Sequence, residues 1–292
     1  MTNLNNQLIP LIERLDQLLE LVARFVVVDK IKEIDWYNTF AARWCVKKSN
    51  QGYFEPVIRL PKIQLTDLQE IDEQKERLYN NTQQFVSGKS ANNVLLTGAR
   101  GTGKSSLIKA LVNEFGHSGL RLVEVDKDHL LDLPEIVDAL SAYPQRFIIF
   151  CDDLSFEANE SQYKMLKTVL DGSIHETPQN VLIYATSNRR HLMPEFLSEN
   201  QAVNHRDGEI HPGEAIEEKT SLSDRFGLWI SFYPVDQEAY LTIAKHWALS
   251  LGASDISSDE FRMEALNWAL TRGSRSGRSA WQFARDWAGR EK

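Results

Sequence analysis

The spacing of apolar residues changes along this chain, and each change marks a different kind of element. Between Leu4 and Val22 they fall at Leu8, Leu11, Ile12, Leu15, Leu18, Leu19 and Val22, the three-and-four spacing of an amphipathic helix. A second helix is expected over Ile31 to Val46, against which that stripe can pack. Gly52 to Pro61 carries a proline at each of positions 56 and 61 and reads as a linker. A further helical stretch, Leu68 to Val86, ends before Ser87-Gly88.

Short apolar runs then alternate with helical patterns. Val94 to Thr97, Leu122 to Val125, Phe147 to Cys151, Val181 to Ala185 and Leu228 to Phe232 have the length and composition of buried strands. Between them, Lys104 to Phe115, Pro134 to Ala142 and Ser161 to Leu170 keep helical spacing. This alternation predicts an α/β fold, with a five-stranded, mainly parallel sheet covered by helices. After Pro234 only helical spacing remains. Tyr240, Ile243, Trp247 and Leu251 form one stripe, Phe261, Ala265, Trp268 and Ala269 a second, and a third helix begins near Ser276. Ser257 with Glu260 suggests a capping box for the second of these. The domains expected are an N-terminal helical extension over 1–60, an α/β core over 61–235 and a helical lid over 236–292.

Composition changes this picture little. The 292 residues are 42% hydrophobic and 25% charged, ordinary for a globular protein. The run Leu18 to Val28 is interrupted by Glu20 and Arg24 and is too short to span a bilayer. The first residues lack a basic start, apolar run and cleavage site, so a cytoplasmic protein without membrane contact is expected. Cys45 and Cys151 are expected to stay unpaired. A net charge of −8 argues against attraction of nucleic acid over the whole surface.

The chemistry concentrates at Gly98 to Ser105, GARGTGKS, which sits between a strand and a helix. That is the P-loop pattern. Its glycines let backbone N–H groups approach phosphate oxygens, and the helix N-terminus adds favourable charge. Lys104 is placed for the β and γ phosphates, and the Ser105 hydroxyl for Mg2+. An acid at a neighbouring strand end is then required, and Phe147 to Asp153 supplies it. Asp152 reads as the metal-side carboxylate and Asp153 as the group that polarises the attacking water. Asn188, closing Tyr184 to Asn188, is expected at the γ phosphate or the water. Arg225 in Ser223-Asp224-Arg225-Phe226 is placed to serve a neighbouring subunit in trans. Arg278 begins the last helix, where a cation is favoured only beside an anion such as phosphate.

The order of P-loop, FIIFCDD, ATSN, SDRF and a helical C-terminal part with Arg at a helix start resembles the AAA+ ATPases. EVDKDHLLDLP, YATSNRRHLMPE and RGSRSGRSAWQF further resemble one bacterial branch, domain-of-unknown-function family 815. The resemblance implies a P-loop ATPase core using ATP and Mg2+. It makes Asn188 sensor 1, Arg225 the arginine finger and Arg278 sensor 2, with Arg275 in reserve. Nucleotide contacts are then Gly98, Ala99, Arg100, Gly101, Thr102, Gly103, Lys104, Ser105, Ser106 and Arg278. Two departures stand out. Asp153 occupies the position usually held by Glu, which points to slow hydrolysis or to help from Glu157. Glu70 occupies a position where many relatives carry Gly.

The function expected is an ATPase that couples nucleotide state to remodelling or assembly of a macromolecular client, working as a homo-oligomer. A protein client is expected, with a DNA-associated loader the alternative, because compactness and the SDRF box resemble those of initiators and helicase loaders. Arg272, Arg275, Arg278, Arg285 and Arg290 could form a basic stripe but read more readily as a solvated face or nucleotide contacts. The stretch Asp126 to Leu133 lacks the aromatic loop of peptide-threading relatives. A nucleotide-gated scaffold with slow or no hydrolysis is the other reading. His191, His205 and His211 lie near acids but show no metal-ligand spacing.

Overall fold

Each of the five apolar runs forms a strand in the computed structural model, and two more strands extend the sheet they build. Described are residues 33–156, 161–172, 178–188, 204–206, 209–211, 224–254 and 256–290, together with Arg14. In chain order the elements begin with β1 (Ala41–Val46), β2 (Gly52–Pro56), α1 (Asp72–Val86), β3 (Val94–Gly98) and α2 (Lys104–Phe115). There follow β4 (Leu120–Glu124), α3 (Leu133–Ser141), β5 (Arg146–Cys151), α4 (Ser161–Asp171) and β6 (Val181–Ser187). A hairpin of β7 (Asn204–Arg206) and β8 (Glu209–His211) precedes β9 (Leu228–Phe232). The chain continues with α5 (Gln237–Ser250), α6 (Asp259–Thr271) and α7 (Gly277–Arg290).

The sheet has seven strands in the order β2-β1-β4-β5-β6-β3-β9 rather than five. All neighbours run parallel except β2, which pairs antiparallel with β1. This corrects the helix expected over Ile31 to Val46, the linker expected over Gly52 to Pro61, and the N-terminal helical extension where it covers these strands. Contacts assign Ile34–Lys292 to one compact unit and Met1–Glu33 to another. The helix expected over Leu4 to Val22 lies outside the described residues. The physical reason for the extra strands is aromatic packing. Trp36 is buried against Phe147 at 4.9 Å and Phe54 at 5.5 Å, and Trp44 packs on Phe54 at 5.0 Å. Gly52 is glycine because the Trp44 ring occupies the space where a Cβ would stand.

The outer edge of β9 is closed by side chains. Gln74 Nε2 and Arg77 Nη2 of α1 donate to the carbonyls of Ser231 and Trp229 at 3.2 and 3.0 Å, satisfying groups that would otherwise template further pairing. α1 begins four residues later than the spacing suggests, because a 3-10 turn occupies Leu65–Asp67 and Glu70 sits at φ +65°. The three C-terminal helices have their own core, centred on Tyr240, Phe261 and Phe283. Ser258, not Ser257, caps α6 by accepting from Phe261 N. Trp247 packs against that core and also lines a cavity, Trp281 faces the same cavity, and Leu251 is exposed.

Parallel strands all deliver their carboxyl ends to one edge. β3 lies between β6 and β9 while the chain next continues into β4, two strands beyond β6. A crevice opens where the strand order departs from the chain order in this way, and the candidate site is there.

Candidate functional site

β3 ends at Gly98, with φ +133°, and a Cβ there would stand 2.0 Å from the carbonyl oxygen of Phe232. Gly101 and Gly103 also take positive φ, +78° and +101°, which only glycine adopts cheaply. The loop therefore closes tightly and hands over to α2 at Lys104. Thr102 Oγ1 donates to Ala99 O at 2.9 Å and braces the turn.

Lys104 is 5% exposed. Its Nζ donates to Gly98 O at 2.7 Å, Ala99 O at 2.8 Å and Asn188 Oδ1 at 3.1 Å. Burial lowers its pKa from the ordinary lysine value. The carboxylates of Asp152 and Asp153 oppose that shift, and the positive charges of Arg278 and Arg100 add to it.

The acids at the end of β5 meet this lysine from the next side. Asp152 Oδ1 accepts from Ser105 Oγ and from Thr186 Oγ1, each at 2.6 Å. Asp153 Oδ1 accepts from Asn188 Nδ2, and Asp153 Oδ2 pairs with Arg100 Nη2 at 3.5 Å. Asn188 thus bridges the P-loop lysine and the second acid. Asp153 holds φ +52°, so the chain turns sharply out of β5 to present its side chain.

A cavity of about 810 Å³ spreads from this cluster to the C-terminal helices. Its polar lining includes residues 100–106 with Asp152, Asp153 and Asn188, and its apolar lining includes Leu68, Ile71, Val235, Ile243 and Trp247. Arg278 and Trp281 of α7 face it from the lid side. The backbone N–H of Arg278 donates to Gly101 O at 3.3 Å, so the last helix rests on the loop itself. His246 Nε2 and Asp67 Oδ1, 3.4 Å apart, make a second contact between lid and core.

The structure therefore brings together Lys104, Ser105, Asp152, Asp153, Asn188, Arg100 and Arg278. It places Arg225 elsewhere, ion-paired with Asp171 at the end of α4 and outside the cavity lining. Arg275 is also outside that lining. Glu157 and the side chains of the three histidines considered for metal lie outside the described residues. Among the described residues no His, Cys, Asp or Glu groups gather as a metal centre, and no helix is long and apolar enough to cross a membrane. Three of the five C-terminal arginines contact neighbours: Arg272 stacks on Trp268 at 4.4 Å, Arg285 on Trp281 at 4.8 Å, and Arg290 pairs with Asp286 at 2.6 Å. Sequence reasoning missed Thr186, whose only signal was a hydroxyl two positions before Asn188. It also missed Leu68, Val235, Ile243 and Trp247 as apolar lining of the cavity, because they come from distant segments.

The sequence model of the family described as "Protein of unknown function (DUF815)" matches residues 37–291. The chain belongs to that family. A search of curated proteins gives no match for this DUF815 chain. Among solved structures it is similar to Thermotoga maritima RuvB. A Thr-to-Val variant aligns with TM-score 0.53 at 16% identity, and an Arg-to-Ala variant with 0.53 at 15%. The RuvB Holliday junction branch migration motor of the same organism aligns with TM-score 0.50 at 17% identity. Each alignment covers 77% of the DUF815 chain and 64% of the RuvB chain. The likeness is one of fold: a RuvB-like α/β core with C-terminal helices.

Proposed function

We propose that this protein binds Mg·ATP in the cavity between the P-loop and the C-terminal helices, hydrolyses it, and couples nucleotide state to remodelling or assembly of a macromolecular client. The observation that carries the reading is the bonded cluster of Lys104, Ser105, Asp152, Asp153 and Asn188 beneath a loop of positive-φ glycines.

The residues present suit that ligand. A cavity of about 810 Å³ lies in the size range of small-molecule sites, and its polar and apolar lining residues suit a triphosphate and a base. Ser105 and Asp152 offer hard oxygen donors of the kind Mg2+ takes. Bound Mg2+ would supply charge neutralisation at the phosphate oxygens. Lys104 provides a fixed positive charge at the phosphate end, joined by Arg278 from α7. Asp153 orients the attacking water and takes its proton, and Asn188 holds Asp153. Hydrolysis forms a bond from the water oxygen to the γ phosphorus and breaks the bond to the bridging oxygen.

Asp153 has both carboxylate oxygens engaged, by Asn188 and Arg100. That favours slow turnover by the isolated protein, and it supports a nucleotide-gated scaffold as the second reading. Phosphate release from Mg·ATP should occur and should fall by about a hundredfold or more in Lys104→Ala. Turnover insensitive to that change would reject the ATPase, and tight ATP binding without turnover would leave the scaffold. Partner capture by Asp153→Asn with ATP distinguishes a protein client from DNA, the alternative raised by the fold likeness to a branch migration motor.

A further inference from the structure

β6 delivers more to the site than Asn188. Thr186, two residues earlier, is 1% exposed and points its hydroxyl between the two acids. A hydroxyl has one proton to give and lone pairs to accept with. Here the proton goes to Asp152 Oδ1 at 2.6 Å, while the oxygen accepts from the backbone N–H of Asp153 at 2.9 Å. A single side chain therefore fixes the carboxylate of one acid and the peptide of the next. The second bond falls at the residue whose φ is +52°, a conformation that persists only when its surroundings impose it. Two further bonds extend the clamp: Leu154 N donates to Thr186 O, and Ser187 Oγ to Leu154 O, each at 2.7 Å.

We propose that Thr186 is a positioning residue that sets Asp152 and Asp153 together, so that both acids face the P-loop in one geometry. The inference rests on the ATPase reading above for its kinetic consequence, and on the bonds of Thr186 alone for its structural one. Valine has nearly the same shape but leaves both bonds unmade, whereas serine keeps the hydroxyl. The two substitutions therefore separate the hydroxyl from the volume it occupies.

The test compares wild type, Thr186→Val and Thr186→Ser in the full chain. With Mg·ATP, Thr186→Val should lower kcat by about tenfold to a hundredfold while KM stays within about threefold. Thr186→Ser should recover kcat to within about threefold of wild type. In the protein without nucleotide, amide hydrogen exchange at Asp153 should quicken by about tenfold or more in the valine variant and not in the serine variant. If the valine variant fails to fold, Thr186→Ala carries the same expectations. Wild-type kcat in the valine or alanine variant overturns the proposal, as does unchanged exchange at Asp153. If wild type shows no Lys104-dependent turnover, the ATPase reading fails by itself. Exchange at Asp153 then decides the positioning role alone: faster in valine and restored in serine upholds it, unchanged rejects it.

Discussion

Glu70 carries its backbone at φ +65°, in the left-handed region where a side chain is unfavourable and glycine is at ease. The resemblance noted in the sequence implies Gly at this position and the chain has Glu, yet the backbone keeps the glycine-like turn that brings Ile71 to the cavity. Glu70→Gly should therefore raise stability by about 0.5–1 kcal/mol, seen as a higher urea midpoint at constant slope. A midpoint that falls would show that Glu70 makes a compensating interaction. Burial pushes the Cys151 thiol up to about 12. Lys104, Ser105, Asp152 and Asn188 were legible as candidates because their chemistry is tied to fixed spacings and strand ends. Thr186 was not, because a threonine inside a strand is an ordinary strand former, and its role arises from two bonds across 33 or 34 residues of chain.

At the scale of elements, five strands were readable because each apolar run is short and flanked by turn residues. β1 was not. Ala42, Trp44 and Val46 alternate as the residues of a strand do, but this run of apolar positions is short, and the signal that separates it from the preceding residues is only the turn of Asp35 and Asn38. Gly52 and Pro56 then resembled linker punctuation, when Gly52 is small to admit Trp44. Gly52→Ala would put its Cβ 1.9 Å from a Trp44 ring carbon, an overpacking that should cost about 1–3 kcal/mol. Combining it with Trp44→Leu should cost less than the two single changes added together, because the clash is gone. Thermal unfolding of the four proteins measures this. Strict additivity would show that the contact between β1 and β2 is not what Gly52 accommodates.

For the whole molecule, the separation of Arg225 from the cavity lining bears on assembly. In the proposed trans role, its guanidinium would leave Asp171 to meet the site of a neighbouring copy. Phosphate release per chain should then rise with protein concentration, and Arg225→Ala should flatten that rise while ATP binding stays within about threefold. Concentration-independent turnover that survives Arg225→Ala would remove the trans role. The partition into an α/β sheet followed by helices was legible from the change of apolar spacing after Pro234. The apolar lining of the cavity between them was not, since Leu68, Ile243 and Trp281 meet only through the tertiary fold.

The seating of α7 on Gly101 gives the molecule a lever. A Cβ on Gly101 would stand 3.0 Å from Ser276 Oγ and 3.1 Å from Arg278 Cβ, so loop and helix start have no slack between them. α7 has 14 residues, a rod of about 20 Å. A tilt of about 10° where it rests on the loop would sweep its far end, near Arg290, through roughly 3.5 Å by the same helix geometry. A rotation where the helix meets the loop thus reaches the opposite end as a shift the width of an atom.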